Sequence, residues 1–194
     1  MNSKKTCLVA LLAFSLLTVA GCGSSNTTPK TPVDDRFRVV DNTEFTLRIP
    51  REWDVIEAKD FTSDVPKETM LVVRNNVKND DFTTNVNIVR KNLQTTQATL
   101  EYAKEVINRQ KSGLLNYVED KRDVSKMHIG NTQVDSYITT FEAKKDPESI
   151  LVRFVQTYAV KDKLAYIITG SYSTKESSDN IKSTEDIVKS FSLK

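Results

Sequence analysis

The chain has 194 residues, with 28 Lys and Arg against 26 Asp and Glu and a single histidine. That length suffices for one domain with a core of its own, and a charge balance so near neutral argues against nucleic acid as a partner. Five glycines in the whole chain leave little material for a phosphate-cradling loop.

Lys4 and Lys5 precede an apolar to weakly polar run from Cys7 to Ala20, and Ala20-Gly21 closes it directly before Cys22. A basic start, a short hydrophobic centre and a small-residue end read as a secretory signal. The run falls short of the roughly 18 residues that a spanning helix needs. Val19-Ala20-Gly21-Cys22 resembles the lipobox of bacterial lipoproteins. The resemblance implies that residues 1–21 are a lipoprotein signal peptide and that Cys22, the first mature residue, carries lipid such as palmitate. The plainer alternative is an ordinary signal peptide with a cysteine near its end. On the lipoprotein reading the protein is lipid-anchored to the cell membrane, on its extracytoplasmic side. Two acyl chains on one cysteine give a stable anchor, since each buried methylene contributes about 0.8 kcal/mol.

Removing residues 1–21 leaves 173, and the departure of Lys4 and Lys5 brings the basic residues to 26 against 26 acids. A neutral mature chain has no electrostatic reason to lie flat on an anionic membrane. Cys7 leaves with the leader and Cys22 is modified, so no disulfide is expected and core packing alone must hold the fold. Residues 22–35 hold the lipidated cysteine and a Ser/Thr/Pro-rich tether with almost nothing to bury. Such a tether has an end-to-end distance of about 20 Å.

From Arg36 the pattern becomes that of a folded domain, 36–194. Phe37-Arg38-Val39-Val40 and Phe45-Thr46-Leu47-Arg48-Ile49 read as strands around an Asp41-Asn42 turn. Trp53 to Ile56, Thr69 to Arg74 and Asn85 to Arg90 continue the strand series. An amphipathic helix starts near Thr96 to Thr99, which can cap it, and ends at Asn116. Its apolar stripe is Leu100, Ala103, Val106, Ile107, Gln110 and Leu114. Tyr117 to Glu119 and Asp123 to Ile129 read as two strand pieces before a Gly130-Asn131 turn, followed by a long strand from Gln133 to Ala143. Ser149 to Val160 and Leu164 to Tyr172 flank Lys161-Asp162-Lys163, a hairpin signal. Both of these strands are apolar on both faces: Phe154, Tyr158 and Val160 oppose Val155 and Ala159, and Tyr166 and Ile168 oppose Ala165 and Ile167. The sheet is therefore expected to be covered on both sides. A second helix, from about Ser177 to Ser190, supplies cover through Ile181, Ile187, Val188 and Phe191. The class is α+β, an α/β/α sandwich around a central, mainly antiparallel sheet.

The strand-Pro-x-x-Trp element, Phe45 to Trp53, resembles the opening of PsbP-like domains, which include photosystem II PsbP proteins and DcrB-type lipoproteins. The hairpin ending Tyr166-Ile167-Ile168-Thr169-Gly170-Ser171, followed by a helix closing Ile187-Val188-Lys189-Ser190-Phe191, resembles their ending. The resemblance spans about residues 37–192 and implies an α/β/α sandwich with an extracytoplasmic, non-enzymatic role. Glu52 stands where such domains commonly place a glycine. The residues on which metal binding and photosystem docking depend in the plant branch, histidines among them, have no counterpart here.

His128, with Asp123 and Ser125, shares one short stretch that cannot converge as a catalytic triad must. Asn79-Asp80-Asp81 and Asp146 with Glu148 are candidates for a hard cation in the weakest sense alone, and solvated loops are the default reading of both. No metal and no cofactor are expected. Trp53 reads as a core anchor rather than a stacking platform. The basic pairs Lys121-Arg122, Lys144-Lys145 and Lys161 with Lys163 read as solubilising hairpin ends, and Tyr117 or Tyr172, if exposed, would mark a partner surface. Two functions remain. One is a membrane-tethered, non-catalytic binding or assembly module for an envelope protein or component. The alternative is a carboxylate-dependent hydrolase of a cell-envelope polymer, which needs two acids facing across a cleft.

Overall fold

A strand of alternating residues sends every second side chain to the same face, and in the middle of this sheet both sets are apolar. The computed structural model describes residues 35–61, 65–77 and 82–194; these belong to one unit, Asp34–Lys194. Cys22, the leader and most of the tether lie outside the described residues, as do Asn79, Asp80 and Asp81. In chain order the elements are β1 (Phe37–Asp41), β2 (Phe45–Pro50), β3 (Asp54–Glu57), β4 (Thr69–Arg74), β5 (Asn85–Asn92), α1 (Thr99–Gly113), β6 (Leu115–Ile129), β7 (Thr132–Lys144), β8 (Val152–Lys161), β9 (Leu164–Ser173), α2 (Ser178–Lys189) and β10 (Ser192–Leu193). A short 3-10 turn, Ala58–Asp60, follows β3.

The strands form one sheet in the order β1-β2-β10-β6-β7-β8-β9-β5-β4-β3. Every pairing is antiparallel except β10 with β6. Asn42 makes the first turn by accepting from the amides of Glu44 and Phe45 at 2.8 and 2.9 Å, the role its short polar side chain suits. Gly130 and Asp162 turn the β6–β7 and β8–β9 hairpins at positive φ of 57° and 55°.

α1 lies on one face against β7 and β8, and α2 lies on the other against β2, β5, β8 and β9. Under α1, Tyr102, Ala103, Val106 and Ile107 meet Tyr158, Val160, Ala165 and Ile167. On the opposite face Ile187 and Val188 meet Val155, Ala159, Ile168, Phe45, Leu47 and Ile88. This is the expected α/β/α sandwich. α2 approaches β9 closely at Gly170, where an added Cβ would fall 2.4 Å from Thr184 Cγ2 and 2.8 Å from Val155 Cγ1.

Several local expectations are corrected. α1 starts on Ala98 without a side-chain cap; the Thr99 hydroxyl instead accepts from the Val160 amide at 3.1 Å, pinning the helix to β8. The helix stripe includes Tyr102, which is buried, while Leu100 and Leu114 are only half-buried. The two strand pieces after α1 are one strand, β6. Register shifts at Leu115/Val118 and Glu119/Lys121 absorb the charged residues that read as a break. Phe191 lies past α2, packing on Phe45 and Tyr166 at ring separations of 5.3 and 6.2 Å. β10, which sequence periodicity did not reveal, joins β2 to β6.

Candidate functional site

α1 covers only part of its face of the sheet. Beyond it, towards β3, the same face carries polar side chains in register: Asn87 of β5, Thr169 of β9, Gln156 of β8, Thr139 of β7 and Arg122 of β6 stand opposite one another in turn. The buried middle of this row is bonded together. Gln156 donates to Thr169 Oγ1 at 2.7 Å, the Tyr158 hydroxyl donates to Gln156 Oε1 at 2.7 Å, and Thr139 Oγ1 lies 3.2 Å from Tyr158. Burial pushes the Tyr158 hydroxyl well above the usual tyrosine range, so it stays a donor.

At the end nearest β3 this face opens into a cavity of about 370 Å³, within the size range of ligand sites. Ile56, Val65, Pro66 and Val72 give it an apolar wall; Thr69, Thr83, Asn85, Asn87 and Arg74 supply the polar groups. One irregularity in β4 builds the site. Thr69 pairs with Val89 and Leu71 with Ile88, so β4 carries an extra residue there. The bulge turns Thr69 onto the face of Val72 and Asn87, while Leu71 and Val73 stay in the α2 core. Thr69 is 4% exposed, and its hydroxyl has no hydrogen-bond partner. The Asn87 amide is likewise without one among the described residues, whereas Asn85 donates to the Thr83 carbonyl at 2.9 Å. The Arg74 guanidinium is held by Asp54 at 3.4 Å. A depression of about 460 Å³ between β1–β2 and α2 has a charged lining instead; there Lys182 pairs with Asp186 at 2.8 Å and Arg48 stacks on Phe37 at 4.7 Å.

No family model and no curated protein matches the sequence. Among solved structures, cyanobacterial PsbP (CyanoP) from Synechocystis is similar over 91% of this chain and 99% of its own, at 10% identity and a TM-score of 0.54. The fold is PsbP-like. LpqN, involved in cell envelope biogenesis of Mycobacterium tuberculosis, aligns over 81% of this chain and 90% of its own, at 9% identity and a TM-score of 0.51. A Pseudomonas aeruginosa protein of unknown function, described as a putative regulator, aligns over 79% and 94%, at 11% identity and a TM-score of 0.50.

In this PsbP-like domain the residues that the sequence singled out do not converge. His128 is exposed, and its Nε2 lies 2.8 Å from the Gln133 amide across the hairpin. Strand alternation sends Asp123 and Ser125 to the opposite face, and Asp123 pairs with Lys121 at 2.6 Å. Asp146 accepts from the Ser149 amide at 2.8 Å, closing a turn between β7 and β8. Among the described residues no group of three or more His, Cys, Asp or Glu is placed to hold a metal ion. Trp53 is 2% exposed in the core, as expected, and its carbonyl accepts from Arg38 at 2.9 Å. Tyr172 is buried, so it marks no surface. Tyr117 is half-buried and stacks on Phe141 at 4.9 Å; burial, then Glu119, pushes its hydroxyl up to about 12.

The partly buried acids of the domain serve as ties. Glu44 takes bonds from Arg90 and, at 2.6 Å, from the Tyr166 hydroxyl. Glu119 is held by Arg122 and Lys111 at 2.6 and 3.0 Å, Glu142 by Arg153 at 2.6 Å, and Glu176 by Thr84 and Asn180. None of them lines the cavity. The site residues that sequence reasoning missed are Thr69, Asn85 and Asn87. A signal existed, because asparagine is depleted in strands and Asn85-Val86-Asn87 places two on one face of a central strand.

Proposed function

We propose that this chain is an extracytoplasmic lipoprotein, anchored to the cell membrane through lipid on Cys22, that acts as a non-catalytic binding or assembly module for an envelope or membrane partner. One observation carries the binding half. The cavity of about 370 Å³ joins an apolar wall to neutral hydrogen-bonding side chains, with no carboxylate in its described lining. A hydrolase would need two acids facing across a cleft, and the partly buried acids are each engaged elsewhere. The anchoring half rests on Lys4, Lys5, the short apolar run and Ala20-Gly21-Cys22. A tether of about 20 Å would confine domain and partner to the same thin layer and raise their effective concentration. LpqN is involved in cell envelope biogenesis, which belongs to the compartment that this address names.

The test combines labelling with complementation of a strain lacking the gene. Labelled fatty acid should enter the wild type and not Cys22→Ala, and Cys22→Ala should lose the cellular role although the domain stays folded. His128→Ala should keep that role. Equal labelling of wild type and Cys22→Ala would end the lipoprotein reading. Loss of the role in a folded, lipidated His128→Ala protein would end the non-catalytic one.

A further inference from the structure

A second depression, of about 230 Å³, adjoins the cavity, and Arg74 and Thr83 line both. On the sheet beneath them the polar side chains are ordered by register. Asp54 of β3, Arg74 of β4 and Asn85 of β5 stand opposite one another, and Asn87 follows two residues along on the same face. With strands about 4.8 Å apart, the four span a patch of roughly 10 Å by 7 Å. Most of their hydrogen-bonding capacity is unused among the described residues. Asp54 meets Arg74 through Nε alone, at 3.4 Å, and both side chains are half-exposed, so both Nη groups and the second carboxylate oxygen stay open. Asn85 donates to the Thr83 carbonyl and keeps its own side-chain oxygen free, and the Asn87 amide has no partner.

That mixture selects among ligand classes. A hydrocarbon satisfies Ile56, Val65, Pro66 and Val72 but strips water from the amides without replacing it, which costs free energy. An anion drawn to Arg74 is repelled by Asp54, and a cation meets the reverse. A hydroxyl both donates and accepts, so vicinal hydroxyls answer guanidinium, carboxylate and amide alike. An acetamido group adds an amide that can pair with Asn87 and a methyl that suits the apolar wall. A neutral sugar with an acetamido substituent has both parts.

We infer that the cavity and its neighbour take a neutral N-acetylated sugar unit. Its acetamido methyl enters between Ile56, Pro66 and Val72, its amide bonds to Asn87, and its ring hydroxyls bond to Arg74, Asp54 and Asn85. This deepens the binding-module reading by making the envelope partner a glycan, and rests on it.

The test is a titration of the isotope-labelled mature lipoprotein in nanodiscs, followed by amide chemical shifts. The probes are the methyl glycosides of N-acetylglucosamine, glucose and glucosamine, and hexanol. Expected are saturable shifts from the acetamido sugar at Val72, Arg74, Asn85 and Asn87, including both asparagine side-chain amides. The glucoside, which lacks one hydrogen bond and one buried methyl, should bind about twentyfold more weakly, and the cationic glucosaminide no better than the glucoside. Asn87→Leu, which keeps the volume and removes the amide, should weaken binding of the acetamido sugar about fivefold, the loss of one hydrogen bond; Asn87→Ser serves as a second variant should the first perturb the spectrum elsewhere. Undiminished binding by both Asn87 variants, or a glucoside or glucosaminide that binds as tightly as the acetamido sugar, would overturn the assignment. Saturable binding of hexanol with none of the sugars would overturn the sugar occupant and leave the binding module standing. Silence of the cavity to every probe would overturn both.

Discussion

Gly170 sits where α2 crosses β9, and an alanine there tests how the larger core is packed. Its added Cβ would stand 2.4 Å from Thr184 Cγ2, 2.8 Å from Val155 Cγ1 and 3.2 Å from Val188 Cγ2. All three neighbours are buried, and the Thr184 hydroxyl is fixed by the Asn180 carbonyl at 2.8 Å. No flexible side-chain end is available to move aside. Overpacking costs about 1–3 kcal/mol, and this site belongs near the upper value. Restricting the unfolded chain offsets about 0.4–1 kcal/mol of that. The net loss should be about 2 kcal/mol, or about 4–8 °C in Tm for a domain of this size. Urea and thermal melts of the chain from residue 34 onward, followed by circular dichroism, measure it. Thr184→Ser deletes the offending methyl and keeps the hydroxyl. In the double variant it should recover about 1 kcal/mol relative to additivity. A Gly170→Ala protein within about 0.5 kcal/mol of wild type, or a strictly additive double variant, would refute the packing argument.

Other perturbations read different parts of the fold. Burial would raise the carboxyls of Glu119 and Glu176, but Arg122 and Lys111 at the first, and Thr84, Asn180 and Ser177 at the second, outweigh it and hold both below their ordinary 4.5. The stability they contribute is therefore complete above that value and lost as pH falls through the lowered folded values. Glu119→Gln/Glu176→Gln should flatten the acid limb of a urea-stability profile, and an unchanged limb would contradict the assignment. Ser177 caps α2 by accepting from the Asn180 amide at 3.3 Å; Ser177→Ala should lower stability by about 1 kcal/mol and Ser177→Asp should restore most of it. The only cysteines are Cys7 and Cys22, so the Tm of the chain from residue 34 onward should not move with reductant.

The β8–β9 hairpin was legible because its alternation is apolar on both faces, which a sheet covered on two sides requires. The two helices were legible from their three- and four-residue spacings. The start of α1 was not, since a threonine next to a helix looks like a cap whether its hydroxyl bonds the helix or, as at Thr99, a strand 61 residues away. β10 escaped because two residues have no period; only the remote partners Thr46 and His128 define Ser192 as strand. β6 was divided at Asp120 to Arg122 because a charged run reads as a break until bulges are allowed for. The candidate site was half legible. Asn85 and Asn87 advertise themselves as polar residues on a central strand, but Thr69 reaches their face only through a bulge that has no local marker. Trp53, by contrast, could be assigned to the core from its place after Pro50.

The central claim is that the protein works by binding through this cavity while anchored to the membrane. Complementation of a strain lacking the gene with the full lipoprotein carrying Val72→Trp tests it most directly, because the indole fills the cavity from its own wall. Val124→Trp is the matched control, since Val124 is 60% exposed on β6 and lines none of the cavity. With both proteins shown to be membrane-bound and to melt cooperatively, Val72→Trp should fail to restore the role and Val124→Trp should restore it. A Val72→Trp lipoprotein that restores the role as fully as the wild type would contradict the claim.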